Sequence, residues 1–183
     1  MRDVEQAPLF MLRESDTELD QRLADRGYQL VDPVSVYLAP VADLAAEVHI
    51  TQAMPSWPPL AAQLEIWSSA GIGPARTAIM ERCNVPKISF LGRTGDTPAG
   101  AAFVGLDGDV AMVHAIEVSP NMRRRGVGVV LMRACANWCL EHGATWLCLA
   151  VTRANAPANA LYRSLGMTEA TRYHYRRSAK GIA

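Results

Sequence analysis

Just ahead of a helical pattern the chain carries Arg123-Arg124-Arg125-Gly126-Val127-Gly128, entered through the turn signal Ser119-Pro120. Two glycines let the backbone turn tightly and approach a ligand without a Cβ in the way. The amides of a helix's first turn lack intrahelical acceptors, and the helix dipole draws negative charge to that end. Arginines add charge-assisted donors. Such a segment suits a phosphate-bearing ligand.

Two familiar phosphate motifs do not fit it. A nucleotide P-loop needs Gly-Lys-Ser/Thr after its glycines to reach phosphates and magnesium, but Gly128 is followed by Val129-Val130. A dinucleotide fingerprint needs a third glycine where Leu131 stands, and a carboxylate about twenty positions on, where the chain reads Ala150-Val151-Thr152-Arg153. A nucleotide-binding Rossmann protein is therefore disfavoured. Cys135, Cys139 and His142 fall at i, i+4, i+7 of a helical pattern, so a metal site must be weighed. Without an obvious fourth ligand, core packing is the expected role, and no metal is expected. Together with Cys83 and Cys148 these cysteines show no disulfide-framework spacing.

The elements that must hold these residues alternate between helix and strand. Pro8–Leu12 reads as a strand, Thr17–Arg26 as a helix closed by Gly27, and Tyr28–Leu38 as an extended segment. Val41–Ile50 is ambiguous, and Met54–Pro59 is a Pro-rich break with Pro58 or Pro59 placed to open a helix. Leu60–Ser68 and Pro74–Cys83 read as helices; Lys87–Gly92 and Ala101–Leu106 read as strands. Ala111–Val118 is a nearly continuous apolar run, as in a buried central strand. The helix after it presents Val127, Val130, Leu131, Ala134 and Trp138 on one face. Thr145–Val151 is a buried strand, Asn155–Leu165 a helix ended by Gly166, and Met167–Tyr175 a final strand. Arg176–Ala183 reads as a basic, solvated tail. Pro8–Tyr28 and Leu147–Met167 share a strand, helix, Gly, strand order, for which chance is the simpler reading.

At 183 residues, half of them apolar and with zero net charge, the chain has the composition of an ordinary globular protein. Neutrality argues against a nucleic-acid binder, which would need a basic stripe. The start lacks a signal-peptide pattern, and Pro8–Leu12 is too short for a membrane span. The expectation is a cytoplasmic protein without nucleic-acid or membrane partners, monomeric or homodimeric.

One strand and one helix beyond the glycine turn comes Asn155-x-x-Ala158-x-x-Leu161-Tyr162-x-x-x-Gly166-Met167. With Arg123-x-x-Gly126-x-Gly128 this resembles the GCN5-related N-acetyltransferase (GNAT) superfamily over roughly residues 86–176, Met167 replacing the usual phenylalanine. The resemblance implies an α/β fold. Its mixed, mainly antiparallel sheet is splayed between two parallel central strands and flanked by helices. It places the acetyltransferase domain in residues 37–183, with 1–36 as an N-terminal strand-helix-strand extension. Acetyl-CoA is the implied co-substrate. Its pyrophosphate would lie against Arg123, Arg124, Arg125, Gly126, Val127 and Gly128. Its pantetheine arm would lie along Ile116–Val118 and Asn155, the last also a natural helix N-cap.

The resemblance also implies direct acetyl transfer to a primary amine of a small-molecule or peptide acceptor, with Tyr162 as proton donor to the thiolate and as a cofactor contact. A backbone amide near Val118 would meet the developing oxyanion. For the base, His114 and Glu117 are the candidates, with a water chain as the alternative. Strict strand alternation puts His114, Ile116 and Val118 on one face and Glu117 on the other. The acceptor is expected under Met54–Arg82, where Trp57 either walls its pocket or packs on a helix. Trp67, Trp138 and Trp146 are expected in the core, and His49, His142 and His174 have no constellation around them. A non-catalytic acyl-CoA-binding module is the competing function.

Overall fold

The computed structural model describes residues 8–178. In chain order the first elements are β1 (Leu9–Arg13), α1 (Thr17–Asp25), β2 (Tyr28–Pro40), α2 (Val41–Leu44), β3 (Ala53–Ser56), α3 (Ala61–Ser69) and α4 (Pro74–Arg82). Then follow β4 (Lys87–Thr94), β5 (Thr97–Asp107), β6 (Val110–Val118), α5 (Val127–Glu141), β7 (Trp146–Thr152), α6 (Ala156–Ser164) and β8 (Thr168–Ser178). The chain divides into two compact units. One takes residues up to Tyr37, Ala150–Ala160 and those from Glu169 on; the other takes Leu38–Leu149 and Leu161–Thr168.

The second unit carries an antiparallel run in the order β6-β5-β4-β3, with β7 added in parallel beside β6. The parallel register joins Val110–Val113 to Trp146–Leu149 and ends there, while β6 runs on to Val118. Past Val113, β6 thus keeps β5 on one edge only. The Pro-rich stretch is less of a break than its composition implies, because Pro55 sits inside β3. That strand is the outermost in the order, and an edge strand tolerates a residue without an N–H. The ambiguous segment yields one short helix, α2. Beyond it Asn137 satisfies loop backbone, accepting from the Ala46 amide and donating to its carbonyl at 3.2 and 2.8 Å.

Helix α5 buries Val127, Leu131, Met132, Ala134, Cys135, Ala136 and Cys139. The buried stripe therefore holds the cysteines, as expected, and leaves Val130 and Trp138 at its margin. Complete burial of Leu131 and of Leu147 contributes about 2 kcal/mol each. Trp67 is fully buried as expected. Trp146, at the start of β7, is 37% exposed and is not a core residue.

In the first unit β1 pairs antiparallel with β8, from Leu9 opposite Arg177 to Arg13 opposite Tyr173. Arg176 therefore lies within a strand and not in a solvated tail; residues 179–183 of that tail lie outside the described residues. Asp20 of α1 explains the difference. It accepts from Arg176 Nε at 2.7 Å and Nη2 at 3.1 Å, and pairs with His174 Nε2 at 2.8 Å. His174 thus has a constellation that its sequence neighbours do not reveal.

Candidate functional site

The site is built around an irregularity in β6. Ala101 pairs with Glu117 and Phe103 with His114, so two steps along β5 match three along β6. The extra residue is absorbed where Ala115 adopts φ 51°, a left-handed conformation unusual for a residue with a Cβ. Directly opposed residues share a sheet face, and so do Ala101 and Phe103, two apart on one strand. His114 and Glu117 consequently share a face. This corrects the strict alternation, which had put them on opposite sides.

That face is covered by a cluster of Trp67, Met80, Ala101 and Phe103, with Trp57, Ile66, Ile72 and Ala115 packed around it. Trp67 donates its indole N–H to the Ala115 carbonyl at 2.8 Å. Trp57 packs on Phe103, centroids 5.5 Å apart, with Lys87 Nζ 4.8 Å from its ring, so it is a packing residue. His114 lies 6.4 Å from the Phe103 ring. Burial and then the Arg76 charge push its pKa down, which keeps the imidazole neutral.

Glu117 moves the opposite way. Partial burial raises its pKa, and the Arg123 cation only partly offsets this. Tyr162, buried on α6, is pushed up to about 12, first by desolvation and then by the charges of Glu117 and Cys135. The Glu117 and Tyr162 groups are thus close enough to sense one another. A cavity of about 430 Å³ opens beside Glu117, lined also by Glu65, Ile66 and Ser69 of α3 and by Val118 and Arg123. His114, Ile116, Tyr162 and the residues Arg124–Gly128 lie outside that lining.

The glycine turn follows a single 3₁₀ turn at Pro120–Met122. Arg124 and Gly126 both adopt positive φ, 61° and 80°, and Gly126 caps α5. Among the described residues, no acceptor meets the amides of Arg124 through Val129; the first bond of the helix runs from the Val130 amide to the Gly126 carbonyl. Gly128 answers a different need. A Cβ there would lie 2.9 Å from Leu161 Cδ2, so it lets α5 approach α6 closely. Arg123 donates Nε to the Val118 carbonyl at 3.3 Å, tying the turn to the end of β6. Arg124 and Arg125 are exposed, with no ion pair among the described residues.

His114, Ile116, Glu117, Val118, Arg123–Gly128 and Tyr162 all fall in the second unit. Asn155 falls in the first, where its Oδ1 accepts the Ala158 amide at 3.2 Å as a helix cap and its carbonyl accepts from Asn159. Cys135 and Cys139 are completely buried. Desolvation drives the first thiol well above its ordinary range and the second to about 12, so both are inert apolar filling. His142 stacks on Trp138, centroids 4.2 Å apart. Sequence reasoning passed over Glu65, Ser69 and Arg76. Glu65 and Ser69 stand one helical turn apart, but that spacing equally describes a solvated face.

The sequence model of the Acetyltransferase (GNAT) family matches residues 51–167, more than half of the chain and all of the cavity-lining elements. The chain belongs to the GNAT acetyltransferase family. Related family proteins include a streptothricin acetyltransferase of Streptomyces lavendulae, 42% identical over 34% of this chain and 41% of that protein. Another is a ribosomal protein bS18-alanine N-acetyltransferase of Salmonella typhimurium, 38% identical over 47% of this chain and 59% of that one. The chain thus spans about half the length of these two relatives. A GCN5-related N-acetyltransferase from Kribbella flavida superposes with a TM-score of 0.69 at 19% identity, over 97% of this chain and 70% of that one. The ribosomal-protein-S18-alanine N-acetyltransferase of Escherichia coli gives 0.55 at 21%, over 72% and 96%. The mixed α/β fold with its mainly antiparallel sheet is therefore the GNAT fold, and the family is one of acyltransferases. No helix of the described residues is long and apolar enough to cross a membrane.

Proposed function

We propose that this chain is a cytoplasmic, acetyl-CoA-dependent N-acetyltransferase whose acceptor is a primary amine, attacking directly without a covalent enzyme intermediate. One observation carries the reading: the β6 irregularity turns Glu117 toward a cavity within electrostatic reach of the buried phenol of Tyr162. The four cysteines are free thiols, as suits a reducing compartment. The acetyltransferase domain is assigned to residues 37–183, which contain the whole family match, with 1–36 as an extension.

Acetyl-CoA supplies the acetyl thioester. The residues present suit it. The open amides of Arg124–Val129, with Arg123, Arg124 and Arg125, form a donor set for a pyrophosphate. The edge of Ile116–Val118 that faces away from β5 offers backbone groups to an amide-bearing arm, as a sheet edge does to an added strand.

Glu117 is the proposed base. A carboxylate with a raised pKa is a better proton acceptor for the acceptor's ammonium than an ordinary one. His114 is outside the cavity lining and its basicity is lowered, which favours Glu117 over it. Tyr162 keeps its proton at neutral pH. A phenol near 12 remains more acidic than water and can donate to a sulfur whose conjugate acid sits at about 8.5. A backbone amide near Val118 receives the developing negative oxygen.

The named activities of the relatives acetylate a small molecule, streptothricin, and an alanine of a ribosomal protein, so acceptors of both sizes belong in the test. Acetyl-CoA should raise the melting temperature of the chain, and an amine panel should release free thiol. Binding without thiol release across small-molecule and peptide amines would favour a non-catalytic acyl-CoA-binding module. Absence of any thermal shift would sink the cofactor assignment.

A further inference from the structure

The carbonyl of Ala115 has an uncommon problem. An extra residue in one strand of a pair disrupts the ladder locally, and the β5–β6 register gives Ala115 no partner residue. The carbonyl is nonetheless satisfied, by the indole N–H of Trp67 at 2.8 Å. Trp67 has no exposed surface, so the donor side of the bond is closed to water. The residue that carries this carbonyl also holds φ at 51° while bearing a Cβ, a conformation that persists only where its surroundings enforce it. Phe103 and Ala101, the two β5 residues that bracket the irregularity, pack in the same cluster as Trp67.

We propose that Trp67 is a positioning residue for acetyl transfer: its indole N–H pins the Ala115 carbonyl and so keeps the extra residue of β6 at Ala115, which is what turns Glu117 to the cavity face. Trp67 touches no reacting atom. It acts through Ala115 on the side chain two residues further along the strand. It also makes α3, which contributes Glu65, Ile66 and Ser69 to the cavity, a brace for the strand that bears Glu117. The assignment rests on the reading of Glu117 as the base.

The test removes the donor and then supplies the conformation by another route. Trp67→Phe keeps an aromatic ring in the cluster and deletes the N–H. It should lower kcat/KM by about tenfold to hundredfold, the scale of a modest misplacement of a catalytic group. The acidic limb of its pH profile should shift, and KM for acetyl-CoA should stay near the native value. Adding Ala115→Gly, whose backbone adopts positive φ without steric cost, should restore most of the loss. Equal impairment of the single and double variants would mean that Trp67 only packs, and would overturn the proposal.

If Trp67→Phe does not fold, the benzothienyl analogue of tryptophan at position 67 keeps the bicyclic ring and lacks only the donor. A backbone NMR measurement of φ at Ala115 reports without any turnover. Loss of the positive φ in the donorless protein supports the proposal, and its retention overturns it. Failure of the Glu117 reading is told apart because Glu117→Gln would then leave turnover of the native chain unchanged.

Discussion

Asp20 and Glu117 are two carboxylates in different compact units, and the chain treats them in opposite ways. Asp20 accepts three hydrogen bonds from Arg176 and His174, and these hold its pKa down at about 2. Glu117 makes no ion pair among the described residues, and partial burial raises its pKa against the milder pull of Arg123. A paired carboxylate stabilises the fold in its charged form. A carboxylate desolvated without a partner costs stability and keeps its proton affinity. The difference separates a group that ties a helix to a strand from one that suits proton transfer.

Exchanging Glu117 for Gln is the strongest attack on that contrast. We expect kcat/KM to fall by about a hundredfold or more, and the acidic limb of the pH profile to disappear. In the native chain that limb should lie above the ordinary carboxylate range, activity rising with pH as Glu117 loses its proton. A profile unchanged in Glu117→Gln would place the base elsewhere, with His114→Ala the next variant to measure.

Tyr162→Phe should lower kcat by about tenfold to a hundredfold without changing the thermal shift given by acetyl-CoA, because it deletes a proton donor and keeps the ring. Equal turnover by the two proteins on a good acceptor would remove Tyr162 from the mechanism.

Stability should respond with opposite signs at the two sites. Asp20→Asn should cost about 1 kcal/mol, less than the full pKa shift implies because the pair is partly open to solvent, and should leave kcat unchanged. Glu117→Gln should instead raise the melting temperature at neutral pH. The sign follows from linkage. Asp20, with its folded pKa below the unfolded value of about 3.8, contributes stability above that pH which is lost as pH falls toward 2. Glu117, raised in the fold, loses stability as pH rises through its window above 4.5. Urea denaturation of both variants at neutral pH checks the pair, and two shifts of the same sign would dissolve the comparison. The smallest effect expected is a rise of a few-fold in KM for acetyl-CoA with Arg124→Ala, since one exposed cation adds little to a cradle of backbone amides.

Much of this could be read from the residues because the informative ones are local. The glycine turn, the helix after it and the Asn155–Tyr162 spacing depend on neighbours within a few positions, and the strand and helix order followed from their periodicity. What escaped depends on partners distant in the chain. Arg176 looked like a solvated tail because Asp20 lies far from it in sequence. On α5 the burial of Val127, Leu131, Ala134 and the two cysteines was legible, whereas Val130 and Trp138 end at the margin of the buried stripe. The faces of β6 were misassigned because an irregularity is a property of a strand pair, and neither strand announces it alone.

That extra residue in β6 changes how this chain can be compared with others. A relative whose strand lacks it requires a one-position gap opposite Ala115; aligned without one, its residue facing Glu117 in the columns would belong to the other side of its sheet. For the same reason, deleting Ala115 would do what no point substitution can. It would shift the frame of the upstream strand against Glu117 while leaving that carboxylate in the chain.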